Sequence, residues 1–282
     1  MLEIYISSLA FLGESPENIV KMAKANDLNI EFSSGMDYRE DMEDFYLGTD
    51  LKRILHNYFP APKIPFVLNL ASKDTEIRQK SIAHCINGLI LSKKSGSTFF
   101  AAHAGFCIDP DPNELGKRIK YSATFDREEH RQLFLDSVRL ILKKAQELAV
   151  DFLIENNVIA SFNIIDGQNP LLCCESGEIS WLFSEIEHQR LGLLLDTAHL
   201  KVSCQTLSLD LNEELNKIEP FIRAVHHSDN DGAADSNEKL DTGYWFLPSL
   251  KKYSHLPQVL EVKKINLEEI SEQVKLLQQN EY

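Results

Sequence analysis

Asp196 closes the apolar run Leu191-Gly192-Leu193-Leu194-Leu195, and His199 follows three positions later. The same pattern recurs along the chain. Glu155 ends VDFLIE (150–155), His226 or His227 ends FIRAVHH (221–227), and Glu261 lies in QVLEVK (258–263). Four earlier runs finish similarly, with Ser7 in EIYIS (3–7), Glu31 in LNIEF (28–32), Asn69 in PFVLNL (65–70) and His103 in TFFAAH (98–103). An apolar run stopped by a polar residue reads as a strand buried on both faces, and catalytic groups collect at the C-terminal ends of parallel strands. If Glu155, Asp196 and Glu261 meet, they repel one another and hold protons unless a cation sits among them. A divalent ion bound by three carboxylates and one imidazole resolves that conflict, and Mn, Mg, Co or Zn all suit such a mixed set. Two plainer readings stand beside it: Asp196 as a helix N-cap, and unrelated ion pairs along a sheet rim.

The elements that must position these groups alternate. Ser15 caps a helix whose first residue is Pro16, with Glu17 in its first turn. A short helix is expected around Leu51–Tyr58 and a long one from about Asp74 to Lys94, closed by Gly96. Another runs over Arg127–Ala149, and further helices are expected through Trp181 and Ile186, around Leu211–Ile218, and after Asn266. The loops after His103 and Glu155 are unusually long and so are candidate lids or binding loops. Strand–helix alternation throughout indicates a parallel sheet. Eight such units in 282 residues match a single (β/α)8 TIM barrel over 1–282. No Gly-x-Gly-x-x-Gly opens a helix, which removes the main support for a dinucleotide fold.

A hydrophobic content of 43% with 26% charged residues is ordinary for a soluble globular protein, and no apolar run is long enough for a membrane helix. The first residues lack the basic start of a secretory signal, and five cysteines without metal-binding spacing suit reduced thiols; a cytoplasmic location is expected. A net charge of −14 opposes binding to a polyanion, so no nucleic-acid partner is expected.

Five motifs in order give the chain a family likeness. FFAAHAG (99–105) is similar to a strand ending His-Pro-Gly, LIEN (153–156) to one ending Glu-Asn, and LDTAH (195–199) to Asp-Thr-x-His. HHSDN (226–230) is similar to His-x-x-Asp-Asn, and LEVK (260–263) carries the final Glu. Over nearly its whole length the chain resembles the xylose-isomerase-like barrels, the superfamily of sugar isomerases and epimerases that also contains endonuclease IV. The resemblance implies Glu155, Asp196, His226 and Glu261 as metal ligands, with His226 preferred over His227 by its distance from Asp229. His227 is then expected to face outward beneath a helix. His199 and His103 would touch substrate or a second metal, and Glu31 and Asn69 would take polar pocket roles.

Two departures bear on the activity. Multi-zinc members carry a His at the end of the third strand, where Asn69 is expected, and Asp-x-His in the loop after the seventh, where Asp235-Ser236-Asn237 stands. Losing both imidazoles would leave a three-zinc phosphodiester-cleaving site incomplete. The resemblance then implies a metal-dependent isomerase or epimerase of a small carbohydrate, working through an enediolate with Glu155 and Glu261 as base and acid. A lyase acting on a keto-polyol, an abasic-site endonuclease and a non-catalytic barrel are the alternatives. No run ends in Lys, which disfavours a Schiff-base aldolase. Trp245 and Phe246 read as core packing, Cys173-Cys174 as incidental, and Asp109, Asp111 and Glu114 as a solvated loop face.

Overall fold

The computed structural model describes residues 2–114, 116–120 and 124–280. Eight parallel strands form one sheet: β1 (Ile4–Ser7), β2 (Asn29–Phe32), β3 (Arg53–Leu55), β4 (Phe99–His103), β5 (Asp151–Glu155), β6 (Leu191–Asp196), β7 (Ile222–His227) and β8 (Gln258–Leu260). They are ordered β3-β2-β1-β8-β7-β6-β5-β4. The two edge strands meet through one parallel bridge, His56 to Ala101, where the Asn57 N–H donates to Ala101 O at 2.8 Å. The sheet is thus a nearly closed (β/α)8 barrel, the TIM-barrel architecture expected.

Helices cover its outside: α1 (Pro16–Ala25), α2 (Met42–Gly48), α3 (Thr75–Ser95), α4 (Arg127–Leu148), α5 (Ser176–Glu185), α6 (Thr197–Leu207), α7 (Leu211–Ile218), α8 (Leu247–Tyr253) and α9 (Leu267–Gln279). Their ends follow local chemistry. Ser15 and Asp74 accept from the first-turn amides of α1 and α3, Gly96 closes α3 at φ 81°, and Asn266 forms a capping box with Glu269.

The third strand corrects the sequence reading. Residues 65–70 form no strand; β3 is the three-residue Arg53–Leu55, inside the segment expected to be helical, and the helix lies earlier at Met42–Gly48. Three residues are too few for a periodic signal, whereas PFVLNL is apolar because it is a buried loop, with Leu68 and Leu70 nearly inaccessible. Side chains satisfy the backbone of that loop: Ser81 Oγ accepts the Asn69 N–H at 2.9 Å, and Asn69 Oδ1 accepts the Ala71 N–H at 3.0 Å. Helix α6 starts directly after β6 with Asp196 as its N-cap, as the plainer reading of that residue had it.

Alternation along the strands sorts the barrel interior into layers. Tyr5, Ile54, Phe99, Ala101, Leu153, Leu194, Ala224 and Val259 form one buried apolar cluster. Two residues beyond Ile54, Ala101, Leu153, Leu194, Ala224 and Val259, and so on the same face, come His56, His103, Glu155, Asp196, His226 and Glu261. The apolar layer is a floor, and the polar side chains stand on it.

Candidate metal centre and adjoining cavity

The layer above that floor concentrates carboxylates and imidazoles, most of them buried, with His103 and Glu261 partly exposed. Ligand atoms of Glu155, Asp196, His226 and Glu261 all lie within 4.8 Å of one another. His226 Nδ1 is 3.0 Å from Glu261 Oε2, 3.6 Å from Glu155 Oε1 and 3.9 Å from Asp196 Oδ2. Its other nitrogen, Nε2, lies 2.9 Å from Glu31 Oε2. A carboxylate holding the far nitrogen of an imidazole fixes the ring and raises its basicity toward a metal. Glu31, 1% exposed, sits behind His226, and together with His56 and His226 it forms a further group whose ligand atoms lie within 4.8 Å of one another.

A third group adjoins the first. His56 Nε2 is 3.1 Å and His103 Nδ1 3.2 Å from Glu155 Oε2, so Glu155 belongs to both groups, one through each oxygen. His56 was missed because its strand was misplaced; the signal that finds it is its position two residues after inward-facing Ile54. The imidazole expected to be lost from the end of the third strand is therefore present. Asn69 is fully buried and clamps loops, its amide donating to Ile108 O at 2.9 Å and Asp109 Oδ1 at 2.8 Å, so its expected pocket role is corrected. Asp109 is correspondingly an anchor that also accepts from Ser72 Oγ, more than a solvated loop residue.

His199 reaches the centre from α6. Its Nδ1 lies 2.9 Å from Asn156 O, which can only accept, so Nδ1 carries the proton and Nε2 faces Asp235 Oδ2 at 3.3 Å. Asn237, expected near that point, directs its amide toward Ser228 Oγ at 3.5 Å. His227 faces outward, buried between Tyr244 Oη at 2.9 Å and Gln258 Oε1 at 2.7 Å. Phe246 is fully buried beside it in the main core, and Trp245 packs against that core.

The donor set fits a divalent ion. Both oxygens of Glu155, Oδ2 of Asp196, Oε1 of Glu31 and Oδ1 of Asp235 are buried without a hydrogen-bond partner. Such atoms are costly to leave unpaired, and here several converge on one space. Their electrostatics record the same crowding. Burial, reinforced by Glu155, Glu261 and Asp235 against His199, pushes the Asp196 carboxyl up to about 7. Burial also opposes ionisation of Glu155, yet His103, His56 and His226 together hold it well below the usual carboxylate range. His226 is held well above the ordinary imidazole value, its burial outweighed by Glu31 and Glu261. Burial, with His199 and His56 adding repulsion, takes His103 down to about 4.

Beside this centre lies a cavity of about 440 Å³ reached by His103, His199 and Asp235. Its walls come largely from the long loops after β4 and β5, which contribute Phe106, Ile119, Ala160 and Leu171. Asp111 and Glu114 lie outside it, holding turns in the first of those loops. All five cysteines are free and buried, and no helix among the described residues is long and apolar enough to cross a membrane.

Comparison with known proteins gives a family and a set of folds. The description "xylose isomerase-like TIM barrel" matches residues 17–279. A probable endonuclease 4 from Carboxydothermus hydrogenoformans is 25% identical over 223 residues, covering 73% of this chain and 70% of that protein. Among solved structures, a D-tagatose 3-epimerase-like protein superposes with a TM-score of 0.75 at 16% identity, covering 99% of this chain and 97% of its own. A zinc-soaked protein from Thermus thermophilus gives 0.67 at 19% identity, covering 99% and 98%. An L-ribulose 3-epimerase gives 0.66 at 14%, covering 100% and 91%. At these identities the structural likeness is one of fold.

Proposed function

The chain belongs to the xylose isomerase-like TIM barrel family, and from that premise we propose that it is a divalent-metal-dependent enzyme that isomerises or epimerises a small polyhydroxylated carbonyl compound. One observation carries the reading: Glu155, Asp196, His226 and Glu261 converge on one buried point beside a cavity of small-molecule size. Those four residues would hold the ion, which as a Lewis acid would supply polarisation of a carbonyl and its neighbouring hydroxyl. Glu31 keeps the His226 ring oriented through Nε2. Asp196 keeps Oδ2 turned inward because its Oδ1 is occupied by the His199 N–H at 2.7 Å. Glu155 and Glu261 are the carboxylates available to take a proton from the carbon next to the carbonyl and return it. His103 and His199, both at the cavity wall, orient substrate hydroxyls. The D-tagatose 3-epimerase-like and L-ribulose 3-epimerase folds agree with this assignment.

Deuterium uptake tests it. The Mn-loaded protein, incubated in D2O with a panel of ketoses, inososes and their deoxy and N-acyl derivatives, should exchange hydrogen at the carbon beside the carbonyl of an accepted compound, and lose that activity on chelation. Exchange that survives complete chelation would refute the metal's role.

A second reading has an observation of its own. His56 and His103 share Glu155 with the first group, and adjoining metal sites suit phosphodiester hydrolysis, in line with the probable endonuclease 4 relative. Against it stand Asn237, which lies where that reading needs an imidazole, and the net charge of −14. Cleavage of a synthetic abasic duplex, with no exchange into any carbonyl compound, would select it.

A further inference from the structure

The cavity is polar only where it meets the metal centre. There Ser34, Asn57, His103, His199 and Asp235 form a connected cluster: Asn57 Nδ2 is 3.4 Å from Ser34 Oγ, its Oδ1 is 3.4 Å from the His103 N–H, and the His103 and His199 rings lie 5.6 Å apart. Away from that end, the polar side chains on the wall are turned into the protein. Asn157 donates to Ala104, Gly105 and Leu172 carbonyls, and Asn163 binds the Ile119 N–H and Lys117 O. The Tyr58 hydroxyl accepts from the Phe66 N–H at 2.6 Å, leaving its ring edge-on to that of Phe66, 5.5 Å away.

The remaining surface is apolar. Val67, Phe106, Ile119 and Leu171 belong to a small cluster separate from the main core, built from the buried loop and the two long loops. Phe162 adds an aromatic side chain that is 38% exposed. No described lining residue is Lys or Arg. Among the described lining residues, a sugar bearing hydroxyls on every carbon would lose water there with few partners in return, and a phosphate would meet no Lys or Arg.

We infer that the substrate is a sugar or polyol carrying an uncharged apolar substituent, an acyl or alkyl group, which occupies the arm walled by Phe66, Val67, Phe106, Ile119 and Phe162 while the carbonyl end faces His103 and His199. This rests on the metal-dependent reading above, since that reading fixes which end reacts. The arm selects by burying methylene and methyl groups, and it discriminates against bare or phosphorylated sugars by giving their polar groups nothing to bind.

A homologous series of n-alkanohydroxamates, from acetyl to octanoyl, separates the two ends. The hydroxamate chelates a divalent ion through two oxygens, and the chain probes the arm. Calorimetric titration with and without Mn2+ should give affinity rising about fourfold per added methylene over the first several carbons. Phe66→Ser and Phe162→Ser should flatten that rise while leaving acetohydroxamate affinity unchanged, which also shows that the variants fold. A flat series, or a chain ending in carboxylate or phosphate that binds better than its methyl counterpart, would overturn the inference. The intercept reports separately on the catalytic reading: if Mn2+ leaves it unchanged while the chain-length slope persists, the metal assignment fails and the apolar arm stands.

Discussion

Replacing Asp196 with Asn should stabilise the protein once metal is stripped away, and bound metal should narrow that advantage. In the metal-free protein Asp196 is fully buried with Oδ2 unpartnered, and its carboxyl is pushed from 3.8 up to about 7. A raised carboxyl value means that the folded protein prefers the protonated form, so the penalty is fully present above about 7 and disappears as pH falls below the unfolded value. The difference of about 3 units corresponds to about 4 kcal/mol at pH 8, falling to about 2 kcal/mol at pH 5. Asn is neutral and keeps an oxygen for the His199 N–H, so the helix cap survives. Urea denaturation in chelator at the two pH values should show D196N more stable by roughly those amounts, with each kcal/mol worth ~2–4 °C in a thermal scan. Saturating Mn2+ should narrow that advantage, because wild type gains about 2.7 kcal/mol at a hundredfold excess over Kd while the variant has lost a ligand. Equal or lower stability of D196N in chelator at pH 8, or an advantage independent of pH, would refute the electrostatic account of this centre.

Three further outcomes follow from the geometry. If His56, His103 and Glu155 hold a second ion, His56→Gln should remove one metal equivalent per chain and Glu155→Gln should impair both, as read by elemental analysis after desalting; an unchanged count in the first variant would show that this group holds no ion. His227 is pushed down to about 4, chiefly by burial with the His226 charge adding to it against the Gln258 hydrogen bond. It is neutral in the fold, so its contribution is intact above pH 6.5 and shrinks as pH falls toward 4, by about 3 kcal/mol in all; His227→Gln should shallow the acid limb of a stability–pH curve, with His103 accounting for part of what remains. Gly88→Ala would place a methyl 2.5 Å from the Phe100 ring, so the strain of overpacking should exceed the gain in helix propensity and cost a net 1 kcal/mol or so by urea denaturation.

Seven of the eight strands are legible in the sequence as largely apolar runs, and the four residues of the centre lie at or just past the ends of four of them. Asp196 shows why the plain and the chemical readings need not compete: it ends β6, caps α6 through Oδ1 and presents Oδ2 to the centre. What the sequence hid has a common cause. β3 is only three residues long, so the more apolar loop at 65–70 stood in for it and carried Asn69 into the site in place of His56. Glu31 lies on the expected strand, but its role behind His226 depends on a neighbour 195 positions away. The cavity walls come from loops whose pairing leaves no periodic signal.

The weak seam of the barrel has a mechanical consequence. β3 and β4 touch through a single bridge at His56, and the imidazoles on its two lips, His56 and His103, both face Glu155. An ion gripped by all three would act as a clasp, lacing shut the one gap in the wall. Loading the centre would then also set how far the cylinder can gape, and departure of the ion would loosen the side on which Asn57 and Tyr58 border the cavity.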